Sequence, residues 1–322
     1  MPADHRTLTA GSRCGKSAWA ALAAFTALAG VAVAQDLPSA ETQAPRPYQI
    51  SVNVNLVVLH ATVLNKKGGF ATGLGEQDFD VYEDGVRQSI QLFQHEDVPV
   101  TVGLVVDHSG SMHAKVPDVL AAARTFVASS NKEDQMFVVN FNEHVTMGLT
   151  GAVRFTNRAD ELEAAILRAP VAGQTALYEA IMVGLTRLEE GNRDKKVLVV
   201  ISDGGDNASV LKMPQVLKKA EESNAIIYTV GIFDPDDPDT NPDVLRRLAK
   251  ATGGEAFFPK EYSDTEPICQ RIAADIRNQY TIGYVSTNPA QAGGYRAIRV
   301  AARAPGKEVL VRTRAGYIAG AK

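Results

Sequence analysis

From Val100 onward the chain alternates short, continuously apolar runs with stretches of helical periodicity, and this rhythm narrows the choice of fold more than any other feature. Unbroken apolar runs belong to strands buried on both faces. A strand-helix-strand order places such strands in a mostly parallel sheet with helices on either side. The runs read as strands at 100–106, 135–141, 197–201 and 225–230, with a short edge strand at 145–149. Between them helices are predicted at 116–128, 159–167, 177–188, 214–222, 242–251 and 266–278, with Asn241 and Asp264 as caps. The expected fold class is therefore α/β, a doubly wound, mostly parallel, Rossmann-like sheet over residues 99–279.

On either side of this stretch the pattern changes to period two. Ile50, Val52, Val54 and Leu56 alternate with polar residues and run on through Val63 and Leu64 as one long strand, which Lys67-Gly68-Gly69 turns. Further strands follow around Phe79-Asp80-Val81-Tyr82 and Ile90-Gln91-Leu92-Phe93, with Asp84-Gly85 as a tight hairpin signal. Residues 280–318 return to β character at 280–285, 295–302 and 309–313, separated by Asn-Pro, Gly-Gly and Pro-Gly turns. The N-terminal module, 48–98, is too short for a comfortable sandwich of its own. The tail strands are expected to pair with it, so that the α/β domain is inserted in a small antiparallel β-sandwich-like module.

Arg6, Arg13 and Lys16 precede an apolar run at 18–34 that ends in Ala32-Val33-Ala34. A basic start, an apolar centre and a small-x-small end are the features of a secretory signal, so residues 1–34 are expected to be removed and the Pro-rich stretch 35–47 to act as a linker. The alternative is an uncleaved N-terminal membrane anchor, since about 17 apolar residues is the lower edge of a spanning helix. Alanine richness favours the first reading. The protein is thus expected to be exported, periplasmic or secreted. Cleavage removes Cys14 and leaves Cys269, in a helical pattern, as a buried packing residue with no intrachain disulfide partner. Gly11-Ser12-Arg13-Cys14-Gly15-Lys16-Ser17 imitates a phosphate-binding loop, but only three residues separate its glycines and no strand precedes it. A composition of 45% hydrophobic and 22% charged residues excludes wholesale disorder and a multi-span membrane protein. A formal net charge of -4 offers no basic field for nucleic acid.

The first parallel strand ends in Asp107-His108-Ser109-Gly110-Ser111 just ahead of a helix. Ligands of open α/β sheets gather at such carboxyl ends, and one aspartate and two hydroxyls converge here in a single turn. Gly173-Gln174-Thr175-Ala176 and Ser202-Asp203-Gly204-Gly205-Asp206-Asn207 belong at the same rim. Asp107-x-Ser109-x-Ser111, with Thr175 and Asp203, resembles the complete metal-ion-dependent adhesion site of von Willebrand factor type A domains. Leu74-Gly75-Glu76-Gln77-Asp78-Phe79, Tyr82-Glu83-Asp84-Gly85 and Arg314-Ala315-Gly316-Tyr317 resemble, more narrowly, a bacterial VWFA-related family known mainly from acidobacteria.

Three neutral hydroxyls and two carboxylates form an oxygen-only donor set, which suits Mg²⁺, with Mn²⁺ or Ca²⁺ as alternatives. No His or Cys spacing in the sequence favours zinc. The resemblance implies that Asp107, Ser109, Ser111, Thr175 and Asp203 hold the ion, at least one carboxylate acting through water, and that a Glu or Asp carboxylate of a partner protein or peptide completes its coordination. It thus implies a non-enzymatic binding protein, and no nucleophile-histidine arrangement speaks for catalysis. A structural scaffold whose metal only stabilises the fold, and a metal-dependent hydrolase, are the rival readings.

Four lesser features stay open between two readings. His108 is either a solvent-facing loop residue or a pH-sensitive modulator of the site. Asp206 either orients the loop as a hydrogen-bond acceptor or stabilises its own turn. The acidic stretch 234–239 is either a solvated Pro-stiffened loop or a site for calcium or a basic partner. Met112, Met136 and Met147 are read as core filling or rim packing.

Overall fold

In the computed structural model, which describes residues 56–233, 240–288 and 293–320, the first described element is β1 (Leu56–Asn65). The signal segment 1–34, the linker 35–47, the start of the first strand and the acidic stretch 234–239 lie outside the described residues. β1 buries Leu59, Ala61 and Val63 on one face, as period-two alternation requires. It is followed by β2 (Phe79–Glu83), β3 (Val86–Gln88) and β4 (Ile90–Gln94). Asp84 and Gly85 between β2 and β3 both have positive φ, 48° and 82°, the backbone a two-residue hairpin of this twist demands.

The α/β body comprises β5 (Val100–Asp107), α1 (Val116–Ala128), β6 (Gln135–Phe141), β7 (Val145–Met147), α2 (Ala159–Ile166) and α3 (Leu177–Glu189). It continues through β8 (Lys195–Ser202), α4 (Met213–Glu222), β9 (Ala225–Gly231), α5 (Pro242–Thr252), β10 (Ala256–Phe257) and α6 (Thr265–Arg277). The strands form one sheet in the order β10-β9-β8-β5-β6-β7, parallel except for the β6–β7 edge. All eight residues of β5 are buried because both faces are covered. Val102, Leu104 and Val106 pack with α1, α2 and α6, whereas Val105 packs with α3, α4 and α5 on the other face. The helices are therefore split three and three.

The tail contributes β11 (Tyr280–Val285), β12 (Tyr295–Ala302), β13 (Val309–Arg312) and β14 (Gly316–Ile318). Two four-stranded sheets result, ordered β13-β1-β11-β4 and β14-β12-β2-β3. Each mixes strands from both flanks of the α/β body, with Leu59 opposite Ile282 and Val81 opposite Val300. They share one core that includes Leu59, Val63, Phe79, Tyr280 and Tyr284.

Of the two expected helix caps, Asn241 accepts the Val244 N–H at 3.3 Å. Asp264 does not cap α6. It already has helical φ and ψ in a preceding turn, and its carboxylate accepts the Glu261 N–H at 3.2 Å instead.

Asp275, fully buried on α6, ties the α/β body to the flanking strands. It accepts the Thr62 hydroxyl of β1 at 2.6 Å and the Tyr228 hydroxyl of β9 at 3.0 Å, and it pairs with Arg312 of β13. Removing one partner of a buried ion pair leaves the other charge stranded, at about 3 kcal/mol or more. Asp275→Ala should therefore lower the unfolding free energy by about 3 kcal/mol in urea titrations. A loss below about 1 kcal/mol would show that Glu255, which also pairs with Arg312, suffices alone.

Candidate metal centre

The site starts from the ends of β5 and β8, which lie side by side in the sheet with Val106 opposite Ile201. Asp107 ends β5 and is 1% exposed. Its two carboxylate oxygens are held separately: the Ser109 N–H donates to one at 2.8 Å, and the Ser202 hydroxyl to the other at 2.6 Å. The chain then turns through Ser109 and Ser111, whose hydroxyl oxygens are 3.2 Å apart, on its way into α1. The Ser111 hydroxyl donates to Asp203 at 2.7 Å, and the Gly205 N–H donates to the other Asp203 oxygen at 3.1 Å. Four of the five expected residues thus form one hydrogen-bonded chain.

Thr175 lies on the segment between α2 and α3, which is strapped to both of these turns. On one side the Gly110 N–H donates to the Gly173 carbonyl at 3.2 Å, and the Ala172 N–H to the His108 carbonyl at 2.9 Å. On the other, the Thr175 N–H donates to Asn207 Oδ1 at 2.8 Å. The Thr175 carbonyl in turn accepts the N–H groups of Asn207 at 3.1 Å and Ala208 at 3.0 Å. The Asp107 turn, the Thr175 loop and the Asp203 loop are therefore fixed relative to one another by backbone bonds.

Burial pushes the Asp107 carboxyl up from its ordinary 3.8 to about 6; the bonds from Ser202 and Ser109 pull it back in part, and the Asp203 charge adds to the rise. Among the described residues no Lys, Arg or His forms an ion pair with Asp107 or Asp203. A buried carboxyl of raised proton affinity beside a second carboxylate is also a place where a cation offsets desolvation. The donors are hard oxygens, which fit Mg²⁺, Mn²⁺ or Ca²⁺. Among the described residues no three His, Cys, Asp or Glu side chains cluster to form an anionic cage. An ion at this place meets few negative ligands.

His108 differs from the solvent-facing expectation. It is 1% exposed, with Nδ1 at 3.1 Å from the Val106 carbonyl and Nε2 at 2.9 Å from the Ile166 carbonyl. Its N–H donates to the Phe141 carbonyl at 2.6 Å, so the residue fastens the β5 end to β6 and to the end of α2. Asp206 is an acceptor for the first turn of α3, at 3.3 Å from the Tyr178 N–H. The position before α3 is Ala176, which has no side chain to cap with, and Asp206 together with Ser209 supplies what is missing. Met112 and Met136 are buried in the core, and Met147 is half-buried against it. Cys269 is buried, with its thiol pushed up to about 12, which makes it a packing residue and a poor nucleophile.

Sequence reasoning placed Ser202 and Asn207 at the rim but gave neither a role: Ser202 binds the Asp107 carboxylate and Asn207 holds the Thr175 N–H. It missed Glu143, an exposed residue whose carboxylate accepts the Gln174 N–H at 2.8 Å beside Thr175.

The family model of the von Willebrand factor type A domain matches residues 101–271, just over half of the chain. Two curated relatives match about half of the chain. An uncharacterised protein of Synechocystis sp. is 25% identical over 173 residues, which are 52% of this chain and 39% of that protein. Inter-alpha-trypsin inhibitor heavy chain H2 of Mesocricetus auratus is 28% identical over 174 residues, which are 50% of this chain and 18% of that protein. The chain thus spans well under half the length of either relative. Among solved structures, a von Willebrand factor type A protein from Catenulispora acidiphila superposes with a TM-score of 0.50 at 12% identity, covering 82% of this chain and 74% of that one. That larger share shows a common fold beyond the α/β body.

Gly204 tests how tightly the Asp203 loop is held. Its φ is 80°, and an added Cβ would lie 2.4 Å from the carbonyl oxygen of Asn241, whose own N–H donates to the Asp203 carbonyl at 3.1 Å. Gly204→Ala should cost about 1–3 kcal/mol of stability in denaturant titration, because it adds left-handed strain to a backbone clash. A change under about 0.5 kcal/mol would mean that the loop relaxes freely.

Proposed function

Since the chain belongs to the von Willebrand factor type A family, we propose that it is a divalent-metal-dependent protein-binding protein, in which Asp107, Ser109, Ser111, Thr175 and Asp203 hold Mg²⁺, with Mn²⁺ or Ca²⁺ as alternatives. The observation that carries this reading is the pair of buried carboxylates, Asp107 and Asp203, joined by serine hydroxyls and lacking a cationic side-chain partner among the described residues. The ion supplies an electrophilic centre that a partner's Glu or Asp carboxylate completes. Ser109, Ser111 and Thr175 contribute neutral oxygens that leave its charge largely unspent. Each carboxylate is engaged by two donors from its own surroundings, which argues for binding over general-base catalysis. In this reading residues 1–34 direct export, and capture takes place outside the cytoplasm.

The rim also suggests what else the partner meets. Val210 is 87% exposed, yet its N–H is fixed to Glu179 at 2.6 Å on the loop that clasps Thr175. An exposed apolar side chain on a loop whose backbone is held would be a ready contact for an apolar residue flanking the partner's carboxylate.

Pull-down from envelope extract should yield a partner with Mg²⁺ present and lose it with chelator, with Asp107→Ala and with Thr175→Ala, each by about tenfold or more. A partner set indifferent to all three would sink the reading. Loss of melting temperature with capture intact would favour a purely structural ion. Val210→Asp should weaken capture while leaving the Mg²⁺-induced rise in melting temperature unchanged.

The same carboxyl gives a pH signature. In chelator the folded protein holds the Asp107 proton up to about pH 6, whereas the unfolded chain loses it near the ordinary 3.8. Folded protein therefore binds more protons between these values, and stability falls as pH rises through the window. Relative to Asp107→Asn, the parent should lose up to ~3 kcal/mol between about pH 4 and about pH 7 in chelator, and Mg²⁺ should abolish that slope. Parallel curves in chelator would count against a buried, uncompensated Asp107.

A further inference from the structure

A cleft of about 540 Å³ opens between the C-terminal half of α5, the edge strand β10 and the strands β12 and β13. That volume lies in the range of small-molecule sites. Its walls are largely apolar, formed by Phe258, Ile298, Val300 and Val311, and its charged groups are nearly all cations.

Their neutralisation is uneven. Arg312 is fully accounted for by Glu255 and Asp275. Arg314 is not. It is 9% exposed, and it donates to the Gly316 carbonyl at 2.8 Å, to Asn224 Oδ1 at 3.0 Å and to the Glu221 carbonyl at 2.6 Å. All three acceptors are uncharged, and among the described residues no carboxylate forms an ion pair with it. The Glu221 carboxylate acts on it without closing to an ion pair, so its charge is offset only in part and the low-dielectric wall screens the remainder poorly.

The mouth adds to that field. Lys250 is exposed on α5 and has no hydrogen bond or ion pair among the described residues. Arg299 is exposed on β12, with its guanidinium 3.9 Å from the centre of the Tyr82 ring, a contact that holds its position without neutralising its charge. Arg246 stands 4.5 Å from the centre of the Phe258 ring and pairs with Asp243, a carboxylate that is itself 81% exposed and so weakly compensating.

We propose that this cleft binds a small organic anion, a carboxylate or phosphate ester carried on an apolar body. The anionic group faces Lys250, Arg299 and the field of Arg314, and the apolar body lies against Phe258 and the valines of β12 and β13. The proposal is independent of the metal centre. It also gives Arg314 and Ala315, which line the cleft, a function outside the metal centre.

Calorimetric titration of the full chain with 1-naphthyl phosphate, 1-naphthoate and neutral 1-naphthol tests it directly. The two anions should bind saturably, one per chain, and the neutral alcohol at least about tenfold more weakly. Lys250→Glu combined with Arg299→Glu should weaken the anions by about tenfold or more. Both side chains are exposed, so the melting temperature should hold within a few degrees and show that the fold survives. Chelator and Asp107→Ala should leave anion binding unchanged. The proposal is overturned if naphthol binds as well as the anions, if the double variant binds like the parent, or if no saturable binding occurs. Anion binding that disappears on chelation would place the ligand at the metal centre and overturn it as well.

Discussion

Parallel pairing of β5 with β8 is the constraint from which the candidate metal centre follows. Once Val106 stands opposite Ile201, the next residues, Asp107 and Ser202, leave the sheet as neighbours and hydrogen-bond at 2.6 Å. A slip of one residue would turn Ser202 to the other face and break that bond. Chain order does the rest. β6 lies on one side of β5 while β8 and β9 lie on the other, so the turns leaving β5 and β8 diverge and open a crevice at the carboxyl ends. The Thr175 loop closes that crevice because its backbone bonds to both turns.

How much of this was legible in the sequence depended on the range of the interaction. Apolar runs fix strands locally, and 135–141, 280–285 and 295–302 coincide with β6, β11 and β12 to the residue. The helix over 116–128 coincides with α1 in the same way. The von Willebrand factor type A fold was legible because a strand-helix rhythm and one motif agreed. What escaped was set by partners distant in sequence. His108 looks like any loop residue until the Ile166 carbonyl, 58 positions away, closes over its ring. Asn207 lies near Asp203 in sequence, but its importance arises from Thr175, 32 positions earlier. Asp264 has the residue type of a cap, and the backbone of the preceding turn decides otherwise.

The flanking sheets follow the same logic of distant partners. Neither N-terminal nor C-terminal strands alone cover an apolar face, and interleaving them produces a shared core. The cost is a set of polar groups carried inside. Glu83 and Arg296 pair at 2.6 Å with both side chains nearly fully buried, and the Tyr284 and Tyr317 hydroxyls donate to the same carboxylate. Such a network contributes little net stability over apolar packing, but any strand pairing that leaves one member unpaired is heavily penalised. It therefore selects one register among several that the β pattern alone would allow.

A single helix connects the Asp203 loop of the candidate metal centre with the basic cleft. The N-cap residue of α5, Asn241, donates its N–H to the Asp203 carbonyl, while Arg246, Ala249 and Lys250 further along line the cleft. At about 1.5 Å per residue, Lys250 lies roughly 13 Å along the axis from Asn241. That separation exceeds the Debye length of about 8 Å at physiological ionic strength. Salt therefore screens the exposed Lys250 charge from the far end of the helix, whereas the buried Asp107 is shielded less and keeps a weak electrostatic link to the cleft. The mechanical route between the two is displacement of a helix whose buried face packs on β9 and whose N-cap is bonded to the Asp203 loop.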